Sequence, residues 1–568
     1  MEPSNFHRFY CSFTRTRNGD MLSCTGPMRT MVESHWAVIS ASMVSQPSQE
    51  PSIFPISTQA KSDINQGELT VRKSCIEITA ASTIGLDVYE IQHKVNEDVY
   101  IGVIFEHKPS SGTDLDDVFA ALLLENMKPF ISAPVDQIYL GNDDPRVIAT
   151  AIVDLFDERL RYISADDKWV NGGRTYFLER VYEFVRRGQR LEFCLPAFPC
   201  KSSSVDKVFG VMPDRGEQAA VEYLHSFIEE IEKIYGLGAK LWIISDGHVF
   251  SDCIGVDDET ADAYNTQLAR LNDIVTRRRG GRDRIGFKSL INLFSLDHYV
   301  DEISNLLKLP ALPHQISTKR TKVADFSRQL LLEVCQTDAT VLRSRIEQGS
   351  ASVLKLYRGF SRFMLEDLDL NQYTKQLSRS QRKKLASKVA FEMIQRNEAY
   401  SNLVELLFPH HVRLSIHAHN NAGPKFGIRM FGTNVRAVEK LAFDGAEMRS
   451  VDLLHVPTPW HNCLVEIAGC ETLFMVKAKT VRDALSSGKF SGGWVDGSLD
   501  GVAGHFRLQS ANSSKTFDHK PGKAIRITET PLGLDTQSVC YLDNEAHYYM
   551  TSTTDVELIT SRAYFGVV

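Results

Sequence analysis

With 568 residues, the chain has room for about three or four compact units, and 43% hydrophobic, 24% charged and 9% aromatic residues mark a folded globular protein rather than a disordered one. Lys and Arg number 64 against 71 Asp and Glu, a net charge of −7, which excludes nucleic-acid binding through a broadly basic surface. None of the ten cysteines pairs as C-x-x-C, the opening MEPSNFHRFYCSFTRTRNGD lacks the apolar core of a signal peptide, and no run reaches about 18 apolar residues, so we expect a soluble cytoplasmic protein with neither a nucleic-acid nor a membrane partner.

Residues 1–70, rich in Ser, Thr, Pro and Gln, read as a loose leader. In 71–180, VYEIQHKV and VYIGVIFEH are short β-rich runs, while VFAALLLENM and RVIATAIVDLFDERL have helical patterning, giving an α+β or α/β portion. The catalytic core is expected at 181–480. It opens on the strand run RLEFCLPAF and the helix RGEQAAVEYLHSFIEEIEKIYG, in which Ala220, Tyr223, Leu224, Phe227, Ile228 and Ile231 recur at three- and four-residue steps before Gly236. AKLWIISDG is a near-continuous apolar strand, DETADAYNTQLARLNDIVTRR a second helix and RIGFKSL a third strand. This alternation predicts an α/β fold with a Rossmann-like doubly wound sheet, whose ligands bind beyond the carboxyl ends of the strands. A helical segment follows over 320–408, then VRLSIHAHN and KFGIRMFG as a hairpin pair, then VEIAG and TLFMVKAKTV. Residues 481–568 alternate short β runs (AGHFRLQ, KAIRITE, SVCYLD, AHYYMTS, RAYFGVV) with turn residues and form a β-rich appendix.

Three stretches could carry chemistry. FPCKSSS, after a buried-type strand, offers Lys201, Ser202 and turn amides, the donor set a phosphate or carboxylate needs; the bland alternative is a solvated turn. Downstream, PDRGE places Asp214, Arg215 and Glu217 at a helix start, where Asp214 and Glu217 also fit a capping box. SDGHVFSD sets Ser245, Asp246, His248 and Asp252 at the end of a second strand, against the alternative of an ordinary Asp-Gly turn. In RLSIHAH, a strand would put Arg413, Ser415, His417 and His419 on one face. No acidic residue stands two positions after any of the 17 histidines, so the HxD/E half of a non-haem iron triad is missing and we expect no metal. The phosphate-loop, dinucleotide, nucleophile-elbow and H-E-x-x-H signatures are also missing.

Taken in order, LPAFPCKSSSVDKVFG, MPDRGEQAAVEYL, LWIISDGHVFSD, LYRGFSRFMLEDL, MIQRNEAYSNLVELLFPHHVRLSIH and VPTPWHNCLVE resemble the pyoverdine/dityrosine biosynthesis family, the isocyanide synthases, over about 190–470. In length and in its flanking portions the chain is similar to the fungal members, including the type that makes the tyrosine isocyanide of xanthocillin. The resemblance implies condensation of the α-amine of an aromatic amino acid, L-tyrosine, with the C2 ketone of ribulose 5-phosphate, whose C2 becomes the isocyanide carbon. No cofactor is implied, and any later oxidation falls to a separate tailoring enzyme. Such a protein must hold a phosphate and a carboxylate and move protons. Lys201, Ser202, Asp214, Arg215, Ser245, Arg413 and Ser415 are then expected to bind substrate, Lys201 taking the sugar phosphate or forming an imine with the ketose. Glu217, Asp246, His417 and His461 are expected to move protons, and Trp460 to close the pocket beside His461. Two alternatives stay open: an N-formyl-tyrosine-forming enzyme of the dityrosine type, and a non-catalytic phosphosugar-binding regulator.

Overall fold

The computed structural model describes residues 144–510, apart from 187, 295–303, 305–308, 335–338, 350, 409–410, 418, 442–456 and 498–502, together with strand backbone inside 7–107 and 524–551. The expected runs VFAALLLENM and RAYFGVV lie outside the described residues. Upstream, the strands Leu86–His93 and Tyr100–His107 pair antiparallel, as the runs VYEIQHKV and VYIGVIFEH require.

Helices α1 (Pro145–Leu155) and α2 (Arg174–Arg186) lead into β1 (Leu191–Pro196), α3 (Arg215–Ile234), β2 (Ala239–Ser245), α4 (Asp258–Arg278) and β3 (Ile285–Ser289). Each begins where local chemistry dictates. Asp214 caps α3 by accepting from the Gly216 amide, and Glu217 reaches back to the Asp214 amide, satisfying donors that the first turn leaves open. In β2, six of seven residues are buried, because parallel neighbours cover both edges and helices cover the faces. The helical segment holds α5 (Lys322–Val334), α6 (Ala351–Asp369) and α7 (Arg379–Leu407), and the chain returns through β4 (Val412–Ser415) and β5 (Lys425–Gly427). The five strands form one parallel sheet in the order β3-β2-β1-β4-β5, a doubly wound α/β core as expected.

One expectation needs correction. β4 and β5 are not a hairpin: they run parallel, with Arg413 opposite Lys425. The connection doubles back across the strand ends through Asn421, at φ 55°, whose amide nitrogen lies near the Tyr162 carbonyl and Asp167 and whose amide oxygen accepts from the Gly427 amide. Position 181 falls inside α2, whose Phe177, Val181 and Phe184 are part of the main core.

Position 480 falls in a helix that connects two strands of a second sheet. There β6 (Val435–Ala437), β7 (Cys463–Ile467), β8 (Leu473–Val476), α8 (Ala478–Ser486), β9 (Phe490–Val495) and β10 (His505–Ser510) follow in sequence, and the sheet order is β6-β8-β7-β10-β9. β10 pairs parallel with β7, so the first part of the expected appendix completes this sheet. Val465, Ile467, Trp494, Phe506 and Leu508 fill its core. Leu464, Met475 and Ala503 instead join the main core, locking the two sheets together. Among the described residues no helix is long and apolar enough to cross a membrane.

Candidate active site

β1 has β2 on one side and β4 on the other, so the strand order reverses at β1, and in such sheets ligands bind beyond the carboxyl ends of the strands at this point. Three segments follow strand ends at this edge: 197–204 after β1, 246–252 after β2 and 416–421 after β4. The first two touch backbone to backbone. A Cβ on Gly247 would lie 2.2 Å from the Pro199 carbonyl oxygen, so only glycine fits. Ser245 Oγ sits 3.0 Å from the Phe198 carbonyl oxygen and 2.9 Å from the Asn265 side chain, fastening the two loops. Phe198 itself is held at φ 58°, a left-handed conformation that a bulky residue keeps only where its surroundings impose it.

Asp246 follows the last residue of β2. Its Oδ1 is buried and has no hydrogen-bond partner among the described residues, and burial raises its carboxyl to about 7. Such a group can both take and give a proton near neutrality. The buried Tyr400 of α7 donates to the Ile244 carbonyl at 3.0 Å. Burial and then the Asp246 carboxylate raise its phenol, while Arg413 opposes them, so Tyr400 stands in the fields of both groups.

Arg413 and Lys425, opposite each other on β4 and β5, both donate to Ser401 Oγ, Arg413 at 3.0 Å. β4 ends at Ser415, so only Arg413 and Ser415 keep the alternation expected of the whole run. His417 and His419 come together instead through a turn: the His419 amide donates to the His417 carbonyl at 2.9 Å, the His417 amide donates to Ser415 Oγ at 3.2 Å, and His419 Nε2 lies 3.0 Å from the same hydroxyl. Burial, then Lys425 and Arg413, lower His419 to about 4, so it is neutral at physiological pH.

Lys201 takes a different place from the one expected. The FPCKSSS loop is no solvated turn, since Lys201, Ser202, Ser203 and Ser204 are all buried. Lys201 Nζ meets Asp214 Oδ2 at 2.9 Å, Glu217 Oε2 at 2.8 Å and the Pro459 carbonyl at 3.0 Å, three acceptors for the three protons of an ammonium. Burial alone would lower its pKa, but the two carboxylates overturn that and raise it, so an imine-forming amine is not what this geometry offers. Tyr264 donates to Glu217 Oε1 at 3.1 Å, and burial pushes Asp214 up. Lys201, Asp214 and Glu217 thus form a sealed charge cluster that ties the β1 loop to α3 and to the turn before β7.

Other expected ligands are also engaged. Ser202 donates to Asp367 Oδ1 at 2.6 Å, Arg215 pairs with Glu222 two turns along α3 at 3.0 Å, and Trp460 is buried with its ring 5.0 Å from that of Phe198. His461 is half-buried, its ring 4.8 Å from that of Phe363 and its carbonyl accepting from Lys477 at 2.6 Å.

Beyond Ser204 lies a cleft of about 750 Å3, whose walls include Ser204, Lys207, Arg379, Arg382, Lys477 and Thr480. Lys207 is held by Asp367 at 2.9 Å and lies over the Phe363 ring at 3.6 Å. This cleft escaped the sequence reading. TLFMVKAKTV looks like one β run, but the strand stops at Val476 and Lys477 caps the start of α8.

The pyoverdine/dityrosine biosynthesis protein family matches residues 181–488, which hold the whole parallel sheet and the first three strands of the second sheet. The chain is 45% identical over 396 residues to the spore wall maturation protein DIT1 of Saccharomyces cerevisiae, covering 67% of this chain and 72% of that protein. The chain belongs to this family. It is also similar to an L-tyrosine isonitrile synthase of Xenorhabdus nematophila (34% identical; 51% of this chain, 73% of that protein) and to an L-tryptophan isonitrile synthase of Fischerella ambigua (31%; 51% and 72%).

In this family member Asp252 of SDGHVFSD is held in a buried ion-pair network. Asp252 accepts from both terminal nitrogens of Arg396, at 2.6 and 2.9 Å. Burial works against its charge, yet Arg396 and Arg328 hold its carboxyl well below the usual range. Asp252, Cys253 and Glu392 lie within 4.8 Å of one another, but the Arg396 guanidinium already stands between the two carboxylates as their cation.

Proposed function

We propose that the chain is an isocyanide synthase that converts the α-amine of an aromatic L-amino acid, L-tyrosine, using ribulose 5-phosphate as the carbon donor, in the cytoplasm and as part of secondary metabolism. Asp246 carries this reading: a buried carboxyl oxygen with no hydrogen-bond partner among the described residues, beyond the end of β2 and next to the strand at which the sheet order reverses, on a group that titrates near neutrality. When the amine attacks the C2 ketone, a proton must leave nitrogen and another must reach the departing oxygen, so that amine and ketone become imine and water. One carboxyl near neutrality serves both transfers. Arg413, across Tyr400 from Asp246, suits the amino-acid carboxylate, and His417 lies on the adjoining turn. The step balances without an oxidant, so oxidation of the product is left to a downstream tailoring enzyme.

The 45% identity to a spore wall maturation protein favours a second reading, in which the product leaves as the N-formyl amino acid of the dityrosine type. Purified full-length chain incubated with each amino acid and ribulose 5-phosphate labelled at C2, followed by mass spectrometry, tests both. A labelled isocyanide of tyrosine is the expected product; the formamide, one water heavier, supports the second reading. No labelled product from any amino acid would refute both.

A further inference from the structure

Lys477 is an unusual cation for its setting. It is largely buried at the wall of the cleft, its Nζ hydrogen bond goes to a neutral acceptor, the His461 carbonyl, and no carboxylate lies within ion-pair distance of it among the described residues. Its neighbours do not compensate. Asp206 is paired with Arg482, Asp369 with Arg382, and Lys207 sits between Asp367 and Glu366. Among the described residues, Lys477, Lys479 and Arg379 remain, facing one unpaired carboxylate, Asp483. The hydroxyls of Ser204 and Thr480 border the same space.

We propose that this cleft binds the phosphate monoester of the second substrate, with Lys477 as its principal ligand; the assignment rests on the reading of the chain as an enzyme that consumes a phosphosugar. A phosphate dianion accepts several charge-assisted hydrogen bonds at once and matches an excess of cations with flanking hydroxyls. The volume, about 750 Å3, suits a small molecule rather than a polymer. Keeping an ammonium buried beside another has a visible cost, because burial and then the Lys207 charge lower Lys477 to about 8, and a bound dianion removes that cost. The loop after β1 links the cleft to Asp246: Ser204 lines the cleft, and the Phe198 carbonyl accepts from Ser245, the residue before Asp246.

Calorimetric titration of the full chain with ribulose 5-phosphate, inorganic phosphate and unphosphorylated ribulose tests this. Wild type should bind ribulose 5-phosphate, inorganic phosphate should compete, and ribulose should not bind measurably. Lys477→Gln should weaken ribulose 5-phosphate at least about tenfold, the equivalent of one charge-assisted hydrogen bond, and raise its KM without raising that of the amino acid, while Lys477→Arg retains binding. Arg379→Gln with Lys479→Gln, both on exposed side chains and so without risk to the fold, should weaken binding in the same direction. Wild-type affinity in Lys477→Gln and in the double variant would overturn the assignment, as would binding of inorganic phosphate without ribulose 5-phosphate. If the variants lose phosphate binding but no amino acid is turned over, the cleft stands and the proposed function falls; if turnover proceeds and both variants keep the wild-type KM, the reverse holds.

Discussion

Replacing Asp246 with Asn should stabilise the protein while disabling it. Burial raises the Asp246 carboxyl from 3.8 to about 7, so the native state holds this proton more tightly than the unfolded chain does. The contribution of the group to stability is therefore largest in acid, declines as pH rises from about 4 to about 7, and is fully lost above that. Three pKa units correspond to about 4 kcal/mol, a ceiling here because Asp246 keeps partial exposure at its edge. An asparagine amide does not ionise and escapes this loss. The stability gain of Asp246→Asn should accordingly be about 2 kcal/mol at about pH 5 and up to about 4 kcal/mol at about pH 8, read from urea unfolding followed by tryptophan fluorescence. Product formation should fall by about 10²–10⁴-fold, the usual weight of one general acid/base. A variant less stable than wild type at about pH 8, or an offset that does not change with pH, would refute the reasoning; full activity would remove Asp246 from the chemistry.

Lys201→Met should cost about 3–5 kcal/mol, because it leaves the buried Asp214 and Glu217 carboxylates facing each other without a cation; an unchanged melting temperature would show that the cluster is not structural. Gly247→Ala drives a Cβ to 2.2 Å from the Pro199 carbonyl oxygen, so thermal unfolding should show a loss of about 1–3 kcal/mol together with reduced turnover, whereas a neutral effect would mean that the two loops part freely. Arg413→Lys should raise the KM for the amino acid about tenfold or more through loss of planar two-point carboxylate recognition, with the KM for ribulose 5-phosphate unchanged; the opposite split would place Arg413 on the sugar. Trp460→Ala should cost about 3–5 kcal/mol as a core deletion beside Phe198, and chemical denaturation that finds no loss would return Trp460 to the substrate pocket.

Much of the fold was legible because it is specified locally. The α3 cap is written in Pro-Asp-x-x-Glu, its buried stripe in three- and four-residue steps, and β2 in an apolar run that only a doubly covered strand tolerates. The same local signals place Asp246 directly after a buried strand, and so at the carboxyl edge of the sheet, which is where the structure has it. What nearest-neighbour patterning does not contain is who faces whom. Lys201 in a Ser-rich loop looks like an anion donor until α3 delivers two carboxylates and the turn before β7 a carbonyl. β4 and β5, a short polar link apart, look like a hairpin until Asn421 carries the chain back across the sheet edge. The cleft was invisible for the same reason: Lys207, Arg379 and Lys477 come from segments about a hundred residues or more apart and share a wall only because the second sheet docks on the first through Leu464 and Met475. By itself the sequence determined most of the elements and the sheet type, because periodicity, capping and burial act over a few residues. The partner of each charge was decided by tertiary structure alone, because a buried ion's protonation and role depend on the groups that packing brings within a few ångströms of it.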